Sequence, residues 1–262
     1  MDRPVVLSIN NLTKMFGGLC AVNEFSGSLK ANQIVGIIGP NGAGKTTILN
    51  MISGVYPPTS GQIVFKDKDI SKLEPHKINH MGIARTFQNI RLFQDMTVLQ
   101  TIMTAYSWRS PYSVFESMLS LPRVARYEKE IKEKSMHFLE KVSLDEFADV
   151  NAQSLPYGMQ RRVEIARALA SEPSVLLLDE PGAGLNQTEV HDLVNLIGGL
   201  YNELSLSIIL IDHRMDVIMG LCEWIYVQDF GKKIAEGTPE QIQRNPVVIK
   251  AYLGEEDLQC LK

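Results

Sequence analysis

Apolar positions change their period several times along the chain. Near the N-terminus, Leu7-Ser8-Ile9 and then residues 25–29 alternate apolar and polar, the pattern of strands in an antiparallel sheet, with Phe16-Gly17-Gly18 as a turn between them. Ile34-Val35-Gly36-Ile37-Ile38 is a continuous apolar run and reads as a buried strand. Residues 46–53 then set Ile48, Leu49 and Ile52 on one helical side. Tyr56-Pro57-Pro58-Thr59-Ser60-Gly61 is a loop, and short strands are expected at 62–65 and 83–87. From about residue 97 to 170 strand periodicity fades. Helices are expected at 97–106 and 127–142, the second with Ile131, Met136, Phe138 and Leu139 as its apolar side. Between them, residues 108–123 carry aromatics and two prolines. They read as an irregular insert, either packing for the helical block or a contact surface, since exposed aromatics mark interfaces. Strand character returns at 175–178 and 207–211 around a helix at 188–203. A hairpin of 224–228 and 232–236 closes on Asp229-Phe230-Gly231, and two short helices at 239–244 and 246–253 begin near prolines. The expected architecture is α/β: a core formed by 1–94 and 171–262, with an antiparallel β part at its start. A helical subdomain at 95–170 interrupts it, within one domain spanning 1–262.

The junction between the strand at 34–38 and the helix after it carries the strongest chemistry. Gly39-Pro40-Asn41-Gly42-Ala43-Gly44-Lys45-Thr46 fits G-x-x-x-x-G-K-[ST], the P-loop pattern, and Thr47 continues it into the helix. Glycines let successive backbone N–H groups turn inward onto a phosphate. Lys45 would place a charge on the β- and γ-phosphates, and the Thr46 hydroxyl can hold a magnesium ion. A helix N-terminus at that point favours anions. Val175-Leu176-Leu177-Leu178-Asp179-Glu180 is an apolar strand that ends in two acids, where ligand sites of α/β sheets lie. Asp179 suits a second magnesium anchor, directly or through water, and Glu180 suits a base that polarises the attacking water. Leu155-Pro156-Tyr157-Gly158-Met159-Gln160 opens a helix whose apolar face is Val163, Ala166 and Ala170; its uncapped N–H groups are a second candidate phosphate contact.

Composition narrows the field without changing this picture. The chain has 262 residues, 45% hydrophobic and 21% charged, enough for one large globular domain. A net charge of -4 argues against binding nucleic acid, or an acidic membrane surface, through bulk charge. Cys20, Cys222 and Cys260 form neither a metal-ligand spacing nor a disulfide framework, as expected in a reducing compartment. The start lacks a signal-peptide pattern, and the apolar runs at 175–178 and 208–211 are too short to cross a bilayer. A cytosolic protein is expected, reaching any membrane process by docking on a partner.

A P-loop, a helical insert, the L-x-x-G-x-Q element, Arg161-Arg162-Val163-Glu164-Ile165-Ala166-Arg167-Ala168-Leu169 and the Asp179-Glu180 strand, in that order, resemble the nucleotide-binding subunits of ATP-binding cassette (ABC) transporters over nearly the whole chain. The resemblance implies ATP as substrate with Mg2+. It implies that Phe16 stacks on adenine with Val22 beside it, that Gln88 touches magnesium and water, and that His213 contacts the γ-phosphate. It further implies a shared site. Two subunits pack head to tail, and the signature residues Ser154, Leu155, Tyr157, Gly158 and Gln160 of one cover the nucleotide of the other. Pro156 and Tyr157 depart from the family's serine and glycine, which leaves that contact to backbone groups and Ser154; Asn186 stands where many members have aspartate.

Several stretches are similar to the ATPase subunits of branched-chain amino-acid importers: residues 16–23, 84–93, the Leu155–Gly158 variant, Gly237-Thr238-Pro239-Glu240-Gln241-Ile242, and Ala251-Tyr252-Leu253-Gly254. That narrower resemblance implies a second ATPase subunit (a paralogue or a second copy), two transmembrane permeases and, indirectly, an extracytoplasmic solute-binding protein. It places the chain at the inner face of the cell membrane, without nucleic acid. A lipopolysaccharide exporter ATPase, a soluble cassette ATPase and a P-loop kinase or GTPase are the competing readings. The signature variant, the single cassette and the lack of a guanine-reading Asn-Lys-x-Asp argue against them in turn. No added regulatory domain is expected.

Overall fold

The computed structural model describes residues 3–88, 90, 92–109 and 122–257, with the side chains of 107–109 and 253–257 set aside. Most of the 108–123 insert therefore lies outside the described residues. The chain divides into two compact units, Met1–Arg85 with Ser174–Lys262, and Thr86–Pro173.

The first unit holds two sheets. An antiparallel sheet runs in the order β2-β1-β4-β5, with β1 Val5–Phe16, β2 Leu19–Lys30, β4 Ser60–Phe65 and β5 Lys68–Asp69. The first two strands are longer than their alternation indicates. Leu7 and Ile9 are buried, but the next buried position is Leu12, because the register shifts between Ile9 and Leu12 and Asn11 takes φ 47°. In β2, Val22 and Phe25 are buried around Glu24 at φ 51°. Irregular registers of this kind hide long strands from a period-of-two search.

The second sheet has the order β10-β9-β3-β8-β7-β6. Its members are β3 Ile34–Ile38, β6 Ile83–Arg85, β7 Val175–Asp179, β8 Ser207–Ile211, β9 Trp224–Asp229 and β10 Lys232–Gly237. All pairs are parallel except β9 with β10. Every residue of β3, β7 and β8 is buried. Parallel strands covered on both faces read as unbroken apolar runs for this reason. Phe25, Phe65, Ile48, Ile52, Ile37 and Ile209 belong to the main core cluster. The strand expected at 83–87 stops at Arg85.

In the second unit the helices are Val98–Met103, Pro122–Lys141 and Tyr157–Leu169. The first has a capping box between Thr97 and Gln100 and passes into a 3-10 turn, Thr104–Arg109. The second opens on Pro122, five residues ahead of the expected start at 127. Proline suits a first helical turn, where its missing N–H is not needed. Val98, Ile102, Leu139, Val142, Val163 and Ala166 are fully buried and form its interior.

Candidate functional site

Sheet register assembles the first part of the site. Ile37 of β3 pairs with Ile211 of β8, and Ile211 pairs with Asp179 of β7, so three adjacent parallel strands end at one level. The loop 39–44, the acids Asp179 and Glu180, and Asp212-His213 leave from those ends. This is the carboxyl edge at which open α/β sheets bind ligands. A cleft of about 310 Å³ lies there, lined by 41–47, Glu180, Leu19, Cys20, Ala21, Phe230 and Gly231.

The loop needs glycine at two positions for steric reasons. A Cβ on Gly39 (φ 149°) would stand 1.9 Å from the Gln228 carbonyl oxygen, and one on Gly44 (φ 98°) 2.3 Å from that of Ala21. Gly44 is also the N-cap of the helix Lys45–Ile52, and no side chain caps that end. Its N-terminal N–H groups face the loop with the helix dipole behind them. Lys45 is buried, and its Nζ donates to the Gly39 and Pro40 carbonyls at 2.8 Å each. Burial pushes its ammonium pKa down, opposed by the negative charges of Glu180 and Asp179.

Asp179 is buried, and its Oδ2 accepts from Arg85 Nη2 at 2.8 Å in a pair with side-chain exposures of 6% and 2%. Arg85 also donates to Asn50 Oδ1 at 2.7 Å and Ser53 Oγ at 2.9 Å, which ties the acid to the P-loop helix. Asp179 Oδ1 is buried without a protein partner. An unsatisfied carboxylate oxygen, together with the half-buried Thr46 hydroxyl of the same unit, fits a hard divalent cation such as Mg2+. Among the described residues no group of three or more His, Cys, Asp or Glu could hold a metal ion.

Glu180 follows with φ 46°, left-handed for a non-glycine residue, while its N–H donates to the Ile211 carbonyl at 2.7 Å. Strained backbone of this kind concentrates at functional sites. His213 Nδ1 lies 3.9 Å from Glu180 Oε2, an ion-pair distance too long for a hydrogen bond, and its side chain is 53% exposed. The backbone around both is clamped. Asp212 is buried and accepts from the Gly182 N–H at 3.0 Å and the Arg214 N–H at 2.9 Å. Arg214 Nη1 donates to the Leu185 carbonyl at 2.8 Å. The loop after Glu180 and the turn carrying His213 are thus joined by two hydrogen-bonded side chains. Asn186 caps the helix Gln187–Leu204 in a capping box with Glu189.

Val22 and Phe16 are the expected adenine neighbours. Val22 is fully buried, its side chain next to Gly44 of the loop. Phe16 is 44% exposed, its ring edge-on to Tyr56 at 5.3 Å with Lys14 Nζ 5.3 Å from its centre.

The second unit carries Gln88 and the signature segment. Pro156 is the N-cap of Tyr157–Leu169, without a side-chain cap. Leu155 is buried, and Tyr157 is exposed. Ser154 Oγ donates to the Asn151 carbonyl at 2.7 Å. Gln160 Nε2 donates to the Gln153 and Leu155 carbonyls at 3.0 and 2.8 Å, bracing the turn, and Gly158 lies within the first helical turn. Arg161 is wholly buried. Its guanidinium donates to the carbonyls of Phe87 at 2.7 Å and Gln88 at 2.9 Å and pairs with buried Glu164 at 2.9 Å. The first turns of this helix and the backbone of Gln88 therefore share one anchor. Phe87 offers its carbonyl to Arg161 beyond the end of β6.

Arg85, Arg161, Asp212, Arg214, Leu19 and Phe230 were not singled out from the sequence as site residues. Arg85, Arg161, Asp212 and Arg214 act through partners far away in the chain, and Leu19 and Phe230 enter only as lining of the cleft.

Comparison with known proteins followed the same lines. An ABC transporter family model matches residues 22–183, and a model for branched-chain amino acid ATP-binding cassette transporters matches 232–257. The chain is 44% identical to the high-affinity branched-chain amino acid transport ATP-binding protein LivG of Escherichia coli K12 over 97% of this chain and 100% of that protein. It is 45% identical to the corresponding BraF protein of Pseudomonas aeruginosa, with the same coverage. A crystal structure of a nucleotide-free ATP-binding cassette from an ABC transporter superposes with a TM-score of 0.83 at 32% identity, covering 96% of this chain and 100% of that one.

Proposed function

We propose a function for this chain from one premise: it belongs to the ABC transporter family, as an ATP-binding, ATP-hydrolysing subunit within the branched-chain amino acid transporter group. It powers import of branched-chain amino acids through two permease subunits, in concert with a second ATPase subunit and an extracytoplasmic binding protein. It works at the inner membrane face by docking, in keeping with the finding that no helix among the described residues is long and apolar enough to cross a membrane. The narrower substrate reading is supported by the match at 232–257.

One observation carries the chemistry: Glu180 lines the same cleft as residues 41–47, with His213 3.9 Å from its carboxylate. The loop amides, Lys45 and Thr46 hold the triphosphate. Thr46 and Asp179 would hold Mg2+, which would supply charge neutralisation to the phosphates. Glu180 polarises the attacking water, and His213 donates to the γ-phosphate as charge develops. The signature turn of a second subunit, at Ser154, Leu155, Tyr157, Gly158 and Gln160, covers that phosphate. ATP therefore binds the closed pair more tightly than the open one, and this differential affinity drives closure; hydrolysis removes the bridge.

The test is reconstitution of the full-length chain with its co-purifying permeases in vesicles, followed by uptake of labelled leucine, isoleucine and valine. ATP-dependent uptake that stops with Glu180→Gln is expected. ATP hydrolysis without uptake of any of the three would overturn the substrate reading. Unchanged ATP binding by Lys45→Ala would overturn the site itself.

A further inference from the structure

Sheet register sets the level at which Asp179 leaves β7, but it does not set the direction of the carboxylate. The side chain that bonds it does. Asp179 Oδ2 accepts from Arg85 Nη2 at 2.8 Å, and both side chains are almost wholly buried. The other oxygen, Oδ1, is buried without a protein partner. A buried acceptor left unbonded is costly unless a ligand takes it up. The pair therefore presents one oxygen atom, in one direction.

The guanidinium is itself fixed. Its Nη1 donates to Asn50 Oδ1 at 2.7 Å and to Ser53 Oγ at 2.9 Å. Both acceptors are held in turn. Asn50 Nδ2 donates to the Tyr56 hydroxyl at 3.0 Å, and the Ser53 hydroxyl donates to the Leu49 carbonyl at 2.8 Å. Ser53 is the C-cap of the helix Lys45–Ile52. Thr46, Asn50 and Ser53 stand at i, i+4 and i+7, so they run along one face of that helix. All three are half-buried, whereas Ile48, Leu49, Met51 and Ile52 are fully buried. The polar face starts with the hydroxyl at the phosphate end. Its other two members hold the arginine that holds Asp179. Thr46 and Asp179 lie on different elements, yet both are referred to one helix, and all of these residues belong to the first unit.

We propose that Arg85 is a positioning residue for magnesium: braced by Asn50 and Ser53, it turns Asp179 so that Oδ1 faces the cation that Thr46 also binds. The inference rests on reading the cleft as a Mg-ATP site and deepens that reading. The planar guanidinium suits the task, because its donors are set in a rigid fork and it stays charged when buried. Groups that orient a metal's own ligands in this way contribute about 10- to 100-fold to metal affinity.

The test is binding of Mn2+, read by its electron paramagnetic resonance signal, to the full-length Glu180→Gln chain saturated with ATP. ATP affinity in EDTA is measured beside it. In that background Arg85→Met is expected to weaken Mn2+ by about 10- to 100-fold and to leave metal-free ATP affinity within twofold. Asn50→Ala removes one brace and keeps the charge, and a smaller loss of Mn2+ affinity is expected. Arg85→Met with Asp179→Asn leaves no unpaired buried charge, so it reports even where Arg85→Met alone fails to fold. It is expected to bind Mn2+ as Asp179→Asn alone does, because Arg85 acts through Asp179. Unchanged or tighter Mn2+ binding in Arg85→Met overturns the proposal. So does an equal loss of metal-free ATP binding, which would make Arg85 a support for the phosphate loop, and so does a double variant weaker than Asp179→Asn. Asp179→Asn separates the two readings. If it binds Mn2+ as the Glu180→Gln chain does, Asp179 is no metal anchor and both fail. If it loses Mn2+ while Arg85→Met keeps it, only the positioning role fails.

Discussion

The two units hold their functional groups in opposite ways. In the α/β unit, the P-loop, Asp179-Glu180 and His213 hang from the ends of β3, β7 and β8, whose register sets them at one level. Many backbone hydrogen bonds share that work, and no single side chain does it. In the helical unit, the buried guanidinium of Arg161 joins the signature turn to the Gln88 backbone. A parallel sheet makes a stiff frame for phosphate chemistry. A single buried charge makes a joint, whose strength depends on its partners being present.

Substitutions at Glu180, Arg161 and Asn186 sharpen that contrast. Glu180→Gln removes the carboxylate and leaves the frame untouched. ATP turnover is expected to fall by roughly 10²- to 10⁴-fold with nucleotide affinity retained, as read by steady-state kinetics and titration. Wild-type turnover would remove Glu180 from the role of base. Arg161→Met breaks the joint and removes the nearer of the two arginines that pair with buried Glu164, at 2.9 Å against 3.6 Å for Arg167. Loss of one partner of a buried pair costs about 3–5 kcal/mol, so a large fall in unfolding midpoint is expected, along with faster amide exchange near Gln88. Adding Glu164→Gln should recover part of it, and an Arg161→Met protein as stable as wild type would show that the joint carries nothing. The smallest effect belongs to Asn186, whose side chain accepts from the Glu189 N–H at 3.0 Å. Asn186→Ala is expected to cost about 1 kcal/mol by loss of the cap, seen as a small drop in melting temperature. Asn186→Asp, which still caps and adds charge at the helix N-terminus, should not show it.

Asn186 also shows how a departure from a family pattern resolves locally. Asparagine caps a helix about as well as aspartate, so the helix start survives the change. Pro156 is similar: a helix N-cap needs an extended backbone, and its φ of -52° with ψ 148° supplies one.

Much of this molecule was legible in the chain itself. The P-loop, the acid-tipped strand and the signature segment are contiguous, and their chemistry depends on local order: glycines where the backbone curls, a lysine and a hydroxyl at a helix start, two acids behind an apolar run. The buried parallel strands announced themselves because both faces are covered, which leaves no polar alternation to interrupt them. The long N-terminal strands did not, because irregular registers near Asn11 and Glu24 break their period. The tertiary structure alone decided which residues brace and line the site. The pairing of Arg85 with Asp179 spans 94 positions, and Arg161 reaches Phe87 across 74. Local chemistry is written in neighbouring residues. Which distant charge satisfies a buried one is settled when the strands take their order in the sheet.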